Sequence, residues 1–99
     1  MILHVTTRPA WQQAQEKGSY TAPSLEHEGF IHCCGPGQLE GVLDRYYPDR
    51  QNLLVLYIEE SLLTSPLKYE PSPLVNESFP HIYGAINLEA VQTTEALVR

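Results

Sequence analysis

The sequence predicts one α+β domain: a small, mainly antiparallel sheet with two helices in its N-terminal half. Residues Leu53-Leu54-Val55-Leu56-Tyr57-Ile58 form an unbroken apolar run of strand length, the pattern of a strand covered on both faces. The stretches from Thr7 to Gly18 and from Gly35 to Pro48 carry apolar side chains at helical spacing between recognisable start and stop residues. Beyond residue 58, short extended stretches follow one another between prolines with no long helix to separate them. A doubly wound parallel sheet needs such helices, so the antiparallel arrangement is expected.

In chain order, Ile2–Thr6 alternates as a strand, with Ile2, His4 and Thr6 on one face and Leu3 and Val5 on the other. Thr7 supplies an N-cap hydroxyl, and Pro9 sits in the first helical turn, where a missing N–H costs nothing. The helix presents Trp11, Ala14 and Gln15 on one side and stops at Gly18, a residue suited to a left-handed C-cap. Ser19–Ala22 reads as a short strand, Ser24–Gly29 as a turn or single helical turn, and Phe30–Cys33 as a compact strand. Gly35 and Pro36 open the second helix, in which Leu39, Val42, Leu43 and Tyr46 make one apolar face before Pro48 closes it. Residues 59–65 read as a turn, 67–70 as a short strand between prolines, and 71–78 as a polar loop. Pro80 biases Phe79 away from helix, so 79–84 is extended. Asn87 opens a helical turn over 88–90, and Val91–Val98 is the closing strand.

Composition narrows the function. The 99 residues fit one domain, and 42% hydrophobic content is ordinary for a globular chain. Twelve acidic against six basic side chains give a formal charge of −6, which argues against binding a nucleic-acid backbone, since that needs clustered Lys and Arg. One or two Arg still suffice for a small anion. The apolar runs fall far short of the ~20 residues of a membrane-spanning helix. No basic segment precedes a long apolar stretch at the N-terminus, so no secretory leader is expected and the cytoplasm is the expected compartment. Cys33 and Cys34 are adjacent, and neighbours in a strand face opposite ways, so two free thiols are expected.

No glycine-rich phosphate loop, GxSxG elbow or HExxH helix occurs. The histidines His4, His27, His32 and His81 are therefore the most informative polar residues. His27, between two glutamates, reads as solvated; the other three lie in apolar strand-like stretches, where an imidazole must satisfy two ring nitrogens. Either each is tied to a nearby main-chain carbonyl, or they converge on a site. Period-2 geometry puts His32 on a face with Phe30 and Cys34, with Ile31 and Cys33 opposite. Cys34, beside His32 and a helix start, is a candidate for a lowered thiolate pKa, the other reading being an inert thiol that closes a turn. His81 and Tyr83 share a face and could floor a pocket, although the same string also fits an edge strand. Trp11 and Tyr20 read as core and rim residues. Three His and one Cys match zinc chemistry, but positions 4, 32, 34 and 81 lack any ligand spacing, so no metal is expected.

Taken together, Ile2-Leu3-His4-Val5-Thr6, Trp11, Gly18-Ser19-Tyr20, Glu28-Gly29-Phe30-Ile31-His32-Cys33, Gln38 and Phe79-Pro80-His81-Ile82-Tyr83-Gly84 resemble a small bacterial family known as domain of unknown function 952. Some of its members carry a glutathione S-transferase-like label, although this chain has no Cys-x-x-Cys thiol-transfer motif. The likeness runs over essentially the whole chain. It departs at Cys34, where the family usually has Ser, and at Ala85, where Pro is common.

More distantly, the family is similar to the ADP-ribosyltransferase-like superfamily, which includes tRNA 2′-phosphotransferases and rifampicin ADP-ribosyltransferases. That resemblance implies the corresponding fold, NAD as substrate and a nucleotide-like ligand. By position it implies a ribose-gripping role for His4 and a ring-supporting role for His32. The third site residue stays open between Glu70 and the His81–Tyr83 pair. Cleaving the bond from nicotinamide to ribose builds an oxocarbenium-like centre, so a ribose grip, a held leaving ring and nearby negative charge are all needed. In that scheme Tyr83 joins His32 against the ring, Glu70 supplies the charge, and Arg8 meets the pyrophosphate. Tyr20, His81 and Cys34 complete the expected cleft. The alternative is a noncatalytic module that keeps the cleft for a nucleotide-like ligand and is stabilised by it without turnover.

Overall fold

In the computed structural model, which describes residues 1–97, the chain begins β1 (Ile2–Thr7), α1 (Arg8–Lys17), β2 (Ser19–Tyr20), α2 (Pro23–Glu28), β3 (Ile31–His32) and α3 (Leu39–Tyr46). It continues β4 (Leu53–Ile58), β5 (Leu67–Pro71), β6 (Ser78–Ile82), β7 (Ile86–Asn87) and β8 (Val91–Ala96). Short 3-10 turns lie at Pro36–Gln38, Glu60–Leu62 and Leu88–Ala90. The last residue of the expected strand, Val98, lies outside the described residues.

The apolar run at 53–58 is the central strand, as its composition requires. β4 lies between β1 and β8 and pairs antiparallel with both. Leu56 and Ile58 pack with Ile2, Ala14, Ile31, Ile82 and Ile86. Leu53 and Val55 face the other way, onto Leu3, Val5, Cys34 and the α3 residues Leu39, Val42 and Leu43. Each fully buried aliphatic side chain contributes about 1.5–3 kcal/mol, so one helix and one apolar cluster hold this strand from its two sides.

The α+β class and the antiparallel pairing are as expected, but the strands form three small sheets in place of one: β1-β4-β8, β2-β7 and β3-β6-β5. The first and third meet at a single antiparallel bridge between Leu3 and Cys34, with backbone hydrogen bonds of 2.7 and 2.8 Å. The ladder goes no further because Gly35-Pro36 turns the chain into a 3-10 turn, and Pro36 has no N–H to donate. The expected strand Phe30–Cys33 shortens to Ile31–His32: Phe30 follows the left-handed Gly29 that ends α2, and Cys33 keeps one backbone bond, its N–H donating to the Pro80 carbonyl at 3.0 Å.

α1 follows its capping signals. Thr7 Oγ1 accepts the Ala10 N–H at 3.3 Å, and Gly18, at φ 94°, ends the helix in the left-handed conformation. Ala14 is buried with Ala10 and Trp11 against the same cluster, but Gln15 is exposed, so the contact stripe is narrower than its spacing suggests. The segment read as a turn or single helical turn is a short third α-helix, α2, started by Pro23 and ended by Gly29 at φ 89°. Two expected helices thus become three: six residues rich in glutamate show too little apolar periodicity to declare a helix, whereas the backbone caps suffice to close one. At the end of α3, Tyr47 packs onto Val5, Leu43 and Leu53, which leaves Tyr46 53% exposed instead of on the buried stripe. Asn87 forms no side-chain cap; its Oδ1 accepts the Thr64 N–H at 3.1 Å.

Candidate functional site

The seam between the first and third sheets opens into a cleft of ≈ 1010 Å³. His4, Tyr20, His32, Cys34, Glu70, His81 and Tyr83 all line it. Arg8 does not: it is exposed and outside the lining, and among the described residues Arg50 is the arginine at the cleft.

His4 forms part of the floor. β1 carries it toward β3, where its Nδ1 lies 2.6 Å from the His32 carbonyl oxygen. A carbonyl only accepts, so Nδ1 carries a proton and donates it. Nε2 lies 2.8 Å from the Tyr20 hydroxyl, which is also 2.9 Å from Thr6 Oγ1. Burial lowers the His4 pKa to about 4, its bond to the His32 carbonyl opposing that shift, so the ring is neutral at pH 7. Neutral, with Nδ1 protonated, it offers only a lone pair at Nε2. The Tyr20 proton therefore goes to His4, and the Thr6 hydroxyl donates to Tyr20. Burial also pushes the Tyr20 phenol up to about 12. The floor is a closed, uncharged hydrogen-bond chain.

The wall beside it is aromatic. Antiparallel pairing of β3 with β6 sets His32 opposite His81, with ring centroids 5.3 Å apart. Phe30 stacks on His81 at 4.1 Å and 18°, and meets His32 edge-on at 4.8 Å. His32 Nε2 donates to the Glu28 carboxylate at 3.0 Å, one helical turn back along the chain and in the open.

Glu70 sits on β5 beside this wall. Its Oε1 accepts both the Tyr83 hydroxyl at 2.5 Å and His81 Nδ1 at 2.8 Å. Among the described residues no hydrogen bond engages Oε2. The Tyr83 hydroxyl first and the His81 bond second hold the Glu70 carboxyl below its usual range, and the same bond raises the Tyr83 phenol. Glu70 and the His81–Tyr83 pair, alternatives for the third site position, form one hydrogen-bonded cluster.

Of the two readings of Cys34, a lowered thiolate and an inert thiol that closes a turn, its surroundings match the second. Cys34 is 2% exposed, packed with Leu3 and Val55, and burial pushes its thiol up to about 11, the opposite of a lowered thiolate. The bridge to Leu3 seats it against that cluster at the base of the cleft. Cys33 faces the other cluster and is raised by burial too. Both cysteines are free thiols. In native buffer at pH 8 a thiol reagent is expected to label neither at an appreciable rate, while unfolding in guanidinium exposes both; rapid labelling of Cys34 in the folded protein would contradict this environment.

Phe30, Arg50 and Tyr47 are among the cleft residues not singled out from the sequence. Phe30 was placed on the His32 face, which was the available signal. Arg50 and Tyr47 follow a helix end and precede a strand, and nothing local marks them as lining a cleft.

Fold and site together define a small antiparallel α+β domain with one aromatic, histidine-lined cleft at a sheet seam. Residues 5–94 match the family model described as "Protein of unknown function (DUF952)", and the chain belongs to that family. No curated protein matches it. Among solved structures, it is similar to the crystal structure of protein CC0527 from Caulobacter crescentus, with TM-score 0.89 and 26% identity over 98% of this chain and 85% of that one. The solution structure of CC0527 matches with TM-score 0.82 and 26% identity, over 97% of this chain and 83% of that one. A double mutant of CC0527 gives 0.88 at 24% identity, over 98% and 85%. Among the described residues no helix is long and apolar enough to cross a membrane, and no group of three or more His, Cys, Asp or Glu is placed to hold a metal ion.

Proposed function

We propose that the cleft binds NAD as substrate and breaks its bond between nicotinamide and ribose, in the manner of an ADP-ribosyltransferase-like enzyme. One observation carries the reading: the Glu70 carboxylate, fixed through Oε1 by Tyr83 and His81 and with Oε2 unengaged among the described residues, stands at an aromatic wall. The nicotinamide ring of NAD is cationic and flat, and aromatic faces beside a carboxylate suit such a ring. As the C1′–N bond breaks, its electron pair goes to the ring nitrogen, which becomes neutral, while positive charge builds on the ribose. A fixed carboxylate stabilises that charge with little reorganisation. Water or an acceptor nucleophile then bonds to C1′ and releases its proton. The cleft volume of ≈ 1010 Å³ is at the top of the range usual for small-molecule sites and suits a dinucleotide.

Incubation of the pure protein with NAD is expected to release nicotinamide, measured by chromatography. Absence of both release and calorimetric binding would overturn the reading.

A second reading is supported by the floor. Both nitrogens of His4 are engaged, by the His32 carbonyl and by Tyr20, so the first-strand histidine has no free nitrogen for a ribose hydroxyl. A module that binds a nucleotide-like ligand without turnover would show a raised Tm with ADP-ribose or NAD and no nicotinamide.

A further inference from the structure

We propose that the turn after α3 forms an anion subsite of the cleft, in which Arg50, backed by the Tyr47 ring, binds the phosphate or pyrophosphate of a nucleotide; this rests on the reading of the cleft as a nucleotide site.

Arg50 lines the cleft in a protein with twice as many acidic as basic side chains, yet among the described residues no carboxylate lies within ion-pair distance of it. Its guanidinium instead lies over the Tyr47 ring at 6.0 Å. Tyr47 is itself anchored on Val5, Leu43 and Leu53. The backbone fixes the turn at both ends: the Arg50 N–H donates to the Tyr47 carbonyl at 3.3 Å, and Asn52 adopts φ 61°, a conformation asparagine tolerates. A guanidinium held over an anchored ring, with the side chain exposed, keeps its fork of donors open to a phosphate.

Topology separates this group from Glu70. Arg50 precedes Leu53, the register partner of Thr7, so it belongs to the far end of β1, about 10 Å along the strand from His4. Glu70 lies on β5, two strand spacings beyond β3, or about 10 Å in another direction. The cleft is therefore electrically polarised, a cation at one end and a carboxylate at the other. A ligand with an anionic middle and a cationic ring matches that polarity in one orientation only. Arg8, expected to meet the pyrophosphate, is exposed and outside the cleft lining, and Arg50 takes that part.

The test titrates wild type, Arg50→Gln and Arg50→Lys with ADP, inorganic pyrophosphate and adenosine by calorimetry, alongside the NAD assay. Arg50→Gln is expected to weaken ADP and pyrophosphate about tenfold or more and to leave adenosine within about twofold. Lysine, a point charge without the planar fork, should restore part of the loss. Unchanged ADP affinity in Arg50→Gln, an equal loss for adenosine, or no binding of ADP and pyrophosphate to wild type would each overturn the subsite. Nicotinamide release that persists while Arg50→Gln has no effect removes the subsite alone. Pyrophosphate binding that depends on Arg50, with no binding or cleavage of NAD, removes the proposed reaction and leaves the subsite standing.

Discussion

Replacing Glu70 with Gln is expected to lower nicotinamide release from NAD by at least about a hundredfold, the usual consequence of removing one preorganised charge stabiliser. The amide is nearly isosteric, and its oxygen can still accept from Tyr83 and His81, so the geometry survives while the negative charge does not. Because the carboxylate is 36% exposed, its loss should move the Tm little, which separates a catalytic effect from unfolding. Tyr83→Phe gives an independent readout. The Tyr83 hydroxyl is the main cause of the lowered Glu70 pKa; without it that pKa rises, and the acid limb of the pH–rate profile should move to higher pH. A Glu70→Gln enzyme with wild-type turnover would refute the assignment.

As pH falls from 6.5 toward 4, one imidazole is expected to remove about 3 kcal/mol of stability. His4 has a folded pKa of about 4 against 6.5 for an exposed histidine, and each pH unit of that gap is worth about 1.4 kcal/mol. Between those values the unfolded chain takes up a proton that the folded chain refuses. The stability is complete above pH 6.5 and declines as pH drops, the loss levelling off below 4. For a domain of this size that corresponds to a fall in Tm of roughly 10–25 °C. His4→Gln can donate to the His32 carbonyl and accept from Tyr20 but does not titrate. Its stability should therefore fall less over the same range, by about the His4 share. Parallel pH curves for the two proteins, followed by urea unfolding, would show that the floor imidazole is not the group responsible.

Much of the fold was legible because its signals are local or strictly periodic. Leu53–Ile58 declared a strand covered on both faces, and α3 and the main apolar cluster cover it. Thr7 and Gly18 declared the ends of α1. What local pattern could not reveal was where one sheet ends and the next begins, since that depends on Pro36 ending a ladder whose other strand lies some thirty residues away. Alternation placed His32 beside Phe30 and His81 beside Tyr83, and the register of β3 with β6 brings those two faces together. It also put Ile31 and Cys33 on one side and Cys34 on the other, as found, but alternation says nothing of how deeply Cys34 is buried, and that burial raises its thiol pKa. Glu70 was a candidate, but its bonds to His81 and Tyr83 need the hairpin of β5 and β6, which the intervening loop does not announce.

The two reciprocal hydrogen bonds joining Leu3 to Cys34, with the His4 ring pinned to the His32 carbonyl alongside, also say something about motion. They rivet the hollow along its base, where a hinge would otherwise be. Its two flanks cannot swing apart without breaking shielded main-chain bonds and stranding a neutral imidazole, so the hollow is a mould already cast to shape rather than a jaw on a hinge.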